Sequence, residues 1–165
     1  MLPGSDKLPR HGGTGMNRIR LGCVGWERTE WSGRFYPADL PAEWRLTFYN
    51  TQFSCVWLPL ADWQTIDVET ARQWRRDTHA EFRFLLEKPD RFEADQRAAL
   101  VELGDRLGAC LARDDAACIW VRRGADLRVL ADRLRTDTGG RYVLVEDGDL
   151  ATLEQVATLI GLLGG

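Results

Sequence analysis

Two apolar runs of this 165-residue chain end in residues that could do chemistry. Glu87 and Lys88 follow the run at 82–86, and Arg122 and Arg123 follow the run at 118–121. A carboxylate at the end of a strand is a candidate general base, or a holder of a substrate hydroxyl. A guanidinium there takes a carboxylate or phosphate through paired hydrogen bonds. Glu87 as base, Arg122 as the anion-binding group and Lys88 assisting would suit a hydrolase or lyase acting on a small anionic metabolite. The plainer reading pairs Glu87 with Arg83 or Arg91, and Arg122 with Glu146 or Asp147, as surface ion pairs that contribute little.

Other groups weigh in the same two ways. Glu146-Asp147-Gly148-Asp149 could hold a hard cation, but a turn followed by a helix capped by Asp149 explains it better. Five of the seven tryptophans fall between Ile19 and Trp63. Trp26, Trp57 and Trp63 could wall a ligand pocket, although core packing accounts for most of this cluster. Cys23, Cys55, Cys110 and Cys118 form no C-x-x-C pair and read as small buried hydrophobes in a reducing compartment. With only His11 and His79 to join them, no metal site is expected. Gly22-x-x-Gly25 lacks the rest of a dinucleotide fingerprint, and no Walker, G-x-S-x-G or H-E-x-x-H motif occurs. No cofactor is therefore expected. Arg72, Arg75 and Arg76 are interleaved with Glu69 and Asp77, which reads as a solvated helix face. With a net charge of -3, no nucleic-acid partner is expected.

The elements that must position these groups alternate. Short apolar runs at 19–24, 53–58, 82–86, 118–122 and 142–145, with a weaker one at 108–111, mostly lack strict alternation, as strands buried on both faces of a parallel sheet do. Between them, helical spacing recurs over 40–50, in a helix capped by Asp67, over 93–107, through Leu127, Leu130, Ala131 and Leu134, and through Leu153, Val156, Ala157 and Ile160. Gly139-Gly140 makes a turn from helix to strand. The repeat is βα, and the class is α/β in a single domain over 18–165. Residues 1–17, rich in Gly and Pro, read as a disordered tail, and Met16 is an alternative start. No apolar stretch approaches a membrane span or a signal segment, so a cytoplasmic location without membrane contact is expected.

The order of several motifs resembles the YecE-like family, a domain-of-unknown-function family (number 72) with a TIM-barrel-type fold. Ile19-Arg20-Leu21-Gly22-Cys23-Val24-Gly25-Trp26 stands where that family reads Gly-Thr-Ser-Gly-Trp. Trp31-Ser32-Gly33-Arg34-Phe35-Tyr36-Pro37, Leu46, Tyr49, Phe53, Trp74, Phe82-Arg83-Phe84 with Pro89, and Leu103-Gly104-Asp105-Arg106-Leu107-Gly108 continue the match. Trp120-Val121-Arg122-Arg123-Gly124 and the run from Tyr142 to Asp147 look like the family's last two strands, which favours Arg122 over Arg123 as a functional group. Eight βα units need more than about 200 residues. The resemblance therefore implies a truncated or incomplete TIM-type (β/α) barrel of five or six parallel strands, or an opened βα sheet derived from it, with two units lost around 112–117. It also implies altered function. Trp57 stands at an acidic family position, Pro59 at an amide position and Glu87 at a lysine position, with Lys88 displaced by one residue and so to the other face. The expectation is a diverged, non-catalytic binding or interaction protein, with Trp57 and Trp63 filling the former pocket. The exposed edges of an incomplete barrel further imply a homodimer.

Overall fold

The computed structural model describes residues 18–164 apart from 138 and 140. The expected tail at 1–17, and Gly140 of the Gly139-Gly140 turn, lie outside these residues.

Six strands form one all-parallel sheet: β1 (Arg20–Val24), β2 (Cys55–Leu58), β3 (Arg83–Glu87), β4 (Leu107–Leu111), β5 (Cys118–Val121) and β6 (Tyr142–Val145). Their order is β4-β3-β2-β1-β6-β5. This is the order of a β/α barrel opened between β4 and β5, and the curled half-barrel sheet is that of a truncated TIM-type barrel. Alternate side chains explain why the strand sequences are nearly continuous in apolar residues. One face carries Leu21, Cys23, Val56, Leu58, Phe84, Leu86, Ile119, Val121, Val143 and Val145 into a core shared with the helices. The other, inner face carries Cys55, Trp57, Leu85, Cys118 and Leu144, with Trp120, Leu111 and Tyr142 against them. Both faces bury apolar side chains at the strand centres, so both parities are apolar there, and the polar Arg20, Arg83 and Glu87 stand at strand ends.

The helices cover the outer face. They are α1 (Arg45–Gln52), α2 (Leu60–Trp63), α3 (Val68–Arg76), α4 (Ala94–Leu103), α5 (Leu127–Thr136) and α6 (Leu150–Leu162). Asp67, Asp126 and Asp149 cap α3, α5 and α6 by accepting backbone N–H bonds, and Glu93 with Gln96 forms a capping box on α4. Two expectations are corrected here, and one helix is unforeseen. The helix expected over 40–50 begins as a single turn at Ala42–Trp44 before α1. The helix expected over 93–107 stops at Leu103, because Gly104 adopts φ 55° at its end, and the chain is a strand again from Leu107. The four-residue α2 is too short to produce a periodic signal.

Two contacts fix β1 against β2. A Cβ on Gly22 would lie 2.0 Å from the Cys55 carbonyl oxygen, so only glycine permits that approach. From α1, the buried Tyr49 hydroxyl donates to the Cys55 carbonyl at 2.7 Å and accepts from the Cys23 N–H at 3.0 Å. A phenol deep in the core is thereby satisfied on both sides.

Candidate functional site

In parallel α/β folds the functional groups lie at the carboxyl ends of the strands. The residues singled out by sequence are distributed around that end. Glu87 closes β3, and its Oε2 accepts the backbone N–H of Leu60 at 2.8 Å, anchoring the first turn of α2. Its carbonyl oxygen accepts the indole N–H of Trp63 at 3.1 Å. Lys88 has an exposed side chain, and its backbone N–H donates to Leu111 at 2.9 Å. On the other side of the sheet, Arg122 Nε donates to Glu146 Oε2 at 2.5 Å. Arg113 pairs with the other oxygen of Glu146, and its guanidinium lies 4.5 Å from the centre of the Trp120 ring. The structure thus joins Arg122 to Glu146, the pairing the plainer reading names, and neither makes an ion pair or side-chain hydrogen bond with Glu87 among the described residues. Arg113 is a participant that the sequence hid, since nothing in a six-residue connection marks its direction.

The inner face beneath this rim is filled. Trp57 is 1% exposed and meets Trp120 edge to face, with ring centroids 5.2 Å apart and an interplanar angle of 76°. The Trp120 indole N–H donates to the Arg113 carbonyl at 2.7 Å. Trp63 does not join this filling. It is fully buried in the outer core beside Phe92.

Trp26 belongs to a different feature. A cleft of about 490 Å³ opens at the ends of β1 and β2, walled by Val24, Leu58, Trp26 and Trp74 and rimmed by Glu27, Arg28, Glu30 and Asp62. Trp26 and Trp74 meet edge to face at 5.1 Å. Gly25, with φ +68°, makes the turn into the cleft, and a Cβ there would meet nothing within 4 Å. Arg45 holds Glu27 at 2.7 Å, and Arg28 reaches Glu30 at 3.4 Å. Asp62 is exposed. Sequence reasoning found Trp26 but missed Asp62 and the cleft, because α2 carries Asp62 and was itself invisible.

Arg28 fastens the two loops flanking the β1–β6 seam. Its guanidinium donates to the carbonyls of Val24 at 2.9 Å and Asp147 at 3.1 Å and lies 5.5 Å from the centre of the Trp31 ring. Trp31 in turn donates to the Gly148 carbonyl at 3.0 Å. Gly148, at φ +63°, leaves the space that Arg28 fills. Arg28 Nε is the sole buried side-chain nitrogen or oxygen without a hydrogen-bond partner among the described residues.

The remaining candidates take structural places. Asp149 accepts the Thr152 hydroxyl at 2.6 Å and its N–H at 3.0 Å, and these bonds hold its carboxyl below the usual range. Asp147 accepts the Arg123 N–H at 3.1 Å. His79 sits in the turn before β3, hydrogen-bonded through its N–H and ring to Asn50. The four cysteines are free. Burial pushes the Cys23 and Cys118 thiols up to about 11 and raises Cys55 as well, which leaves them un-ionised and unreactive near neutrality. Among the described residues no group of three or more His, Cys, Asp and Glu could hold a metal ion, and no helix is long and apolar enough to cross a membrane.

Fold and rim together define a half-barrel of the TIM type whose interior is closed by side chains. The chain belongs to the family described as protein of unknown function DUF72, whose model matches residues 20–136, the YecE-like family of the sequence resemblance. The match runs from β1 through α5 and stops before β6. No curated protein matches the chain, and no solved structure does.

Proposed function

We propose that this chain is a diverged, non-catalytic member of its family that works by binding rather than by turnover. The observation that carries this reading is the Trp57–Trp120 contact. It is made by the next-to-last residues of β2 and β5, toward the carboxyl end of the strands where a barrel enzyme places its substrate. The rim supports it. A general base needs a free carboxylate within reach of a proton, and Glu87 spends one oxygen on the Leu60 N–H. Arg122 and Arg113 share Glu146, so the guanidinium expected to hold a small anion already has a carboxylate. The unpaired edges of β4 and β5 favour a homodimer as the working form.

The test is a turnover screen with chromogenic ester, phosphoester and glycoside substrates, run beside the Glu87→Gln and Arg122→Ala variants. No turnover above the blank is expected. Turnover that disappears in Glu87→Gln, with the fold intact by circular dichroism, would restore the enzyme reading of a hydrolase or lyase acting on an anionic metabolite. Light scattering at micromolar concentration tests the assembly, and a monomeric mass removes the dimer.

A further inference from the structure

We infer that the cleft at the ends of β1 and β2 binds a polyhydroxylated ligand, a sugar or cyclitol, with Trp26 and Trp74 as its apolar wall and Asp62 as a hydrogen-bond acceptor. This rests on the reading of the chain as a binding protein and gives that protein a site and a ligand class.

The size is suitable: about 490 Å³ falls within the range of small-molecule sites, roughly 300–1,000 Å³. The hydrogen-bonding inventory decides the chemistry. Indole N–H groups in folded proteins ordinarily find acceptors, and three here do: Trp31 donates to Gly148, Trp63 to Glu87 and Trp120 to Arg113. Of the other four, Trp44 is exposed and Trp57 faces the interior. Trp26 and Trp74 line the cleft, and their indole N–H groups find no acceptor among the described residues. Neither is a buried orphan, so both N–H groups are open to solvent or a ligand. Asp62, on the facing side, has no ion pair and accepts no hydrogen bond among them. Glu27 and Glu30 each offer a second carboxylate oxygen beyond the one held by arginine.

The cleft therefore presents donors and acceptors together against an apolar wall. A ligand whose hydroxyls both donate and accept, on a ring with hydrocarbon faces, satisfies all of them. An organic ammonium would answer the carboxylates but leave both indole donors unmatched. A phosphate would answer the indoles but meet Glu27, Glu30 and Asp62, with Arg28 as the one cation of the lining.

The experiment follows the indole N–H resonances by NMR, assigned with Trp26→Phe and Trp74→Phe. The full chain is titrated with glucose, maltose and myo-inositol at millimolar concentrations, and separately with tetramethylammonium chloride and inorganic phosphate. The expected result is saturable movement of the Trp26 and Trp74 resonances with at least one of the hydroxylated compounds, while those of the other five tryptophans stay in place. Asp62→Ala should weaken that binding about tenfold, the loss of one hydrogen bond to a charged group. It should leave the urea midpoint unchanged, because Asp62 holds nothing in the fold. The inference is overturned if none of the three compounds moves the two resonances, if only the ammonium or the phosphate does, or if Asp62→Ala binds as the parent does. None of those results touches the non-catalytic reading. That reading fails separately, if the bound sugar is converted to new species in the same tube.

Discussion

Replacing Trp57 by alanine asks how firmly the barrel interior is closed. The side chain is 1% exposed. An indole buries about 200 Å², which at about 25 cal/mol per Å² corresponds to roughly 5 kcal/mol of transfer free energy. Alanine retains a little of that, and the edge-to-face contact with Trp120 adds about 1 kcal/mol that is lost. Partial collapse of the site recovers some of the total, and large-aromatic truncations in cores cost about 3–5 kcal/mol. Since a domain of this size is stable by about 5–15 kcal/mol, Trp57→Ala should remain folded in water with a much lower urea midpoint and an unchanged m-value. A Trp57→Ala, Trp120→Ala cycle should show coupling of about 1 kcal/mol. The cavity should be apolar and dry, so saturating benzene should raise the melting temperature of Trp57→Ala and leave the parent unmoved. A loss below about 1 kcal/mol for Trp57→Ala would refute the argument, because the ring would then lie in an open, hydrated mouth.

Further perturbations test individual contacts. Gly22→Ala places a Cβ 2.0 Å from the Cys55 carbonyl oxygen, a backbone atom that cannot swing away. The expected cost is about 3 kcal/mol or more, and a urea midpoint equal to the parent's would contradict it. Arg28→Ala should cost about 2 kcal/mol through its charged hydrogen bonds. Gly148→Ala should cost much less in the Arg28→Ala background than in the parent, because its Cβ would lie 2.4 Å from the Arg28 Cζ; additive costs would disprove that steric coupling. Hydrogen bonds from Thr152 lower the Asp149 carboxyl, so its cap stabilises the fold above the unfolded pKa and is lost as pH falls through the lower folded value. Asp149→Asn should therefore flatten the decline of melting temperature on acidification, and an identical pH profile would count against the assignment. With a thiol-disulfide reagent in the native state, half-buried Cys110 should react first, and fully buried Cys23 and Cys55 only on unfolding.

The architecture was legible because it depends on burial, and burial leaves a mark on composition. Apolar runs such as Phe84-Leu85-Leu86 are needed when both faces of a strand are covered, and Asp67 and Asp149 are legible caps because helix starts need acceptors. The site was harder to read, because it depends on which of several adequate partners a polar side chain takes. Glu87 had Arg83 and Arg91 nearby in sequence, yet it took the Leu60 N–H, a partner set by the unforeseen turn of α2. Trp57 and Trp63 lie six positions apart and read as a pair. The turn at Pro59 sends one to the inner face and the other to the outer core.

The β4–β5 connection ties these observations together. Every other strand-to-strand crossover in the described chain contains a helix, but 112–117 joins β4 to β5 with six residues. A parallel crossover needs about 10–12 residues when a helix packs on the sheet. Six extended residues reach only about 20 Å, enough to run back along a short strand and nothing more. The sheet therefore cannot gain further strands there, and β4 and β5 become its edges. A barrel opened this way would leave its interior wet unless large side chains filled it from within. Trp57 and Trp120 do so, and the connection itself contributes Arg113, which covers the Trp120 ring and binds Glu146. The short connection that leaves β4 and β5 as edges thus also supplies the guanidinium that covers the interior tryptophan pair.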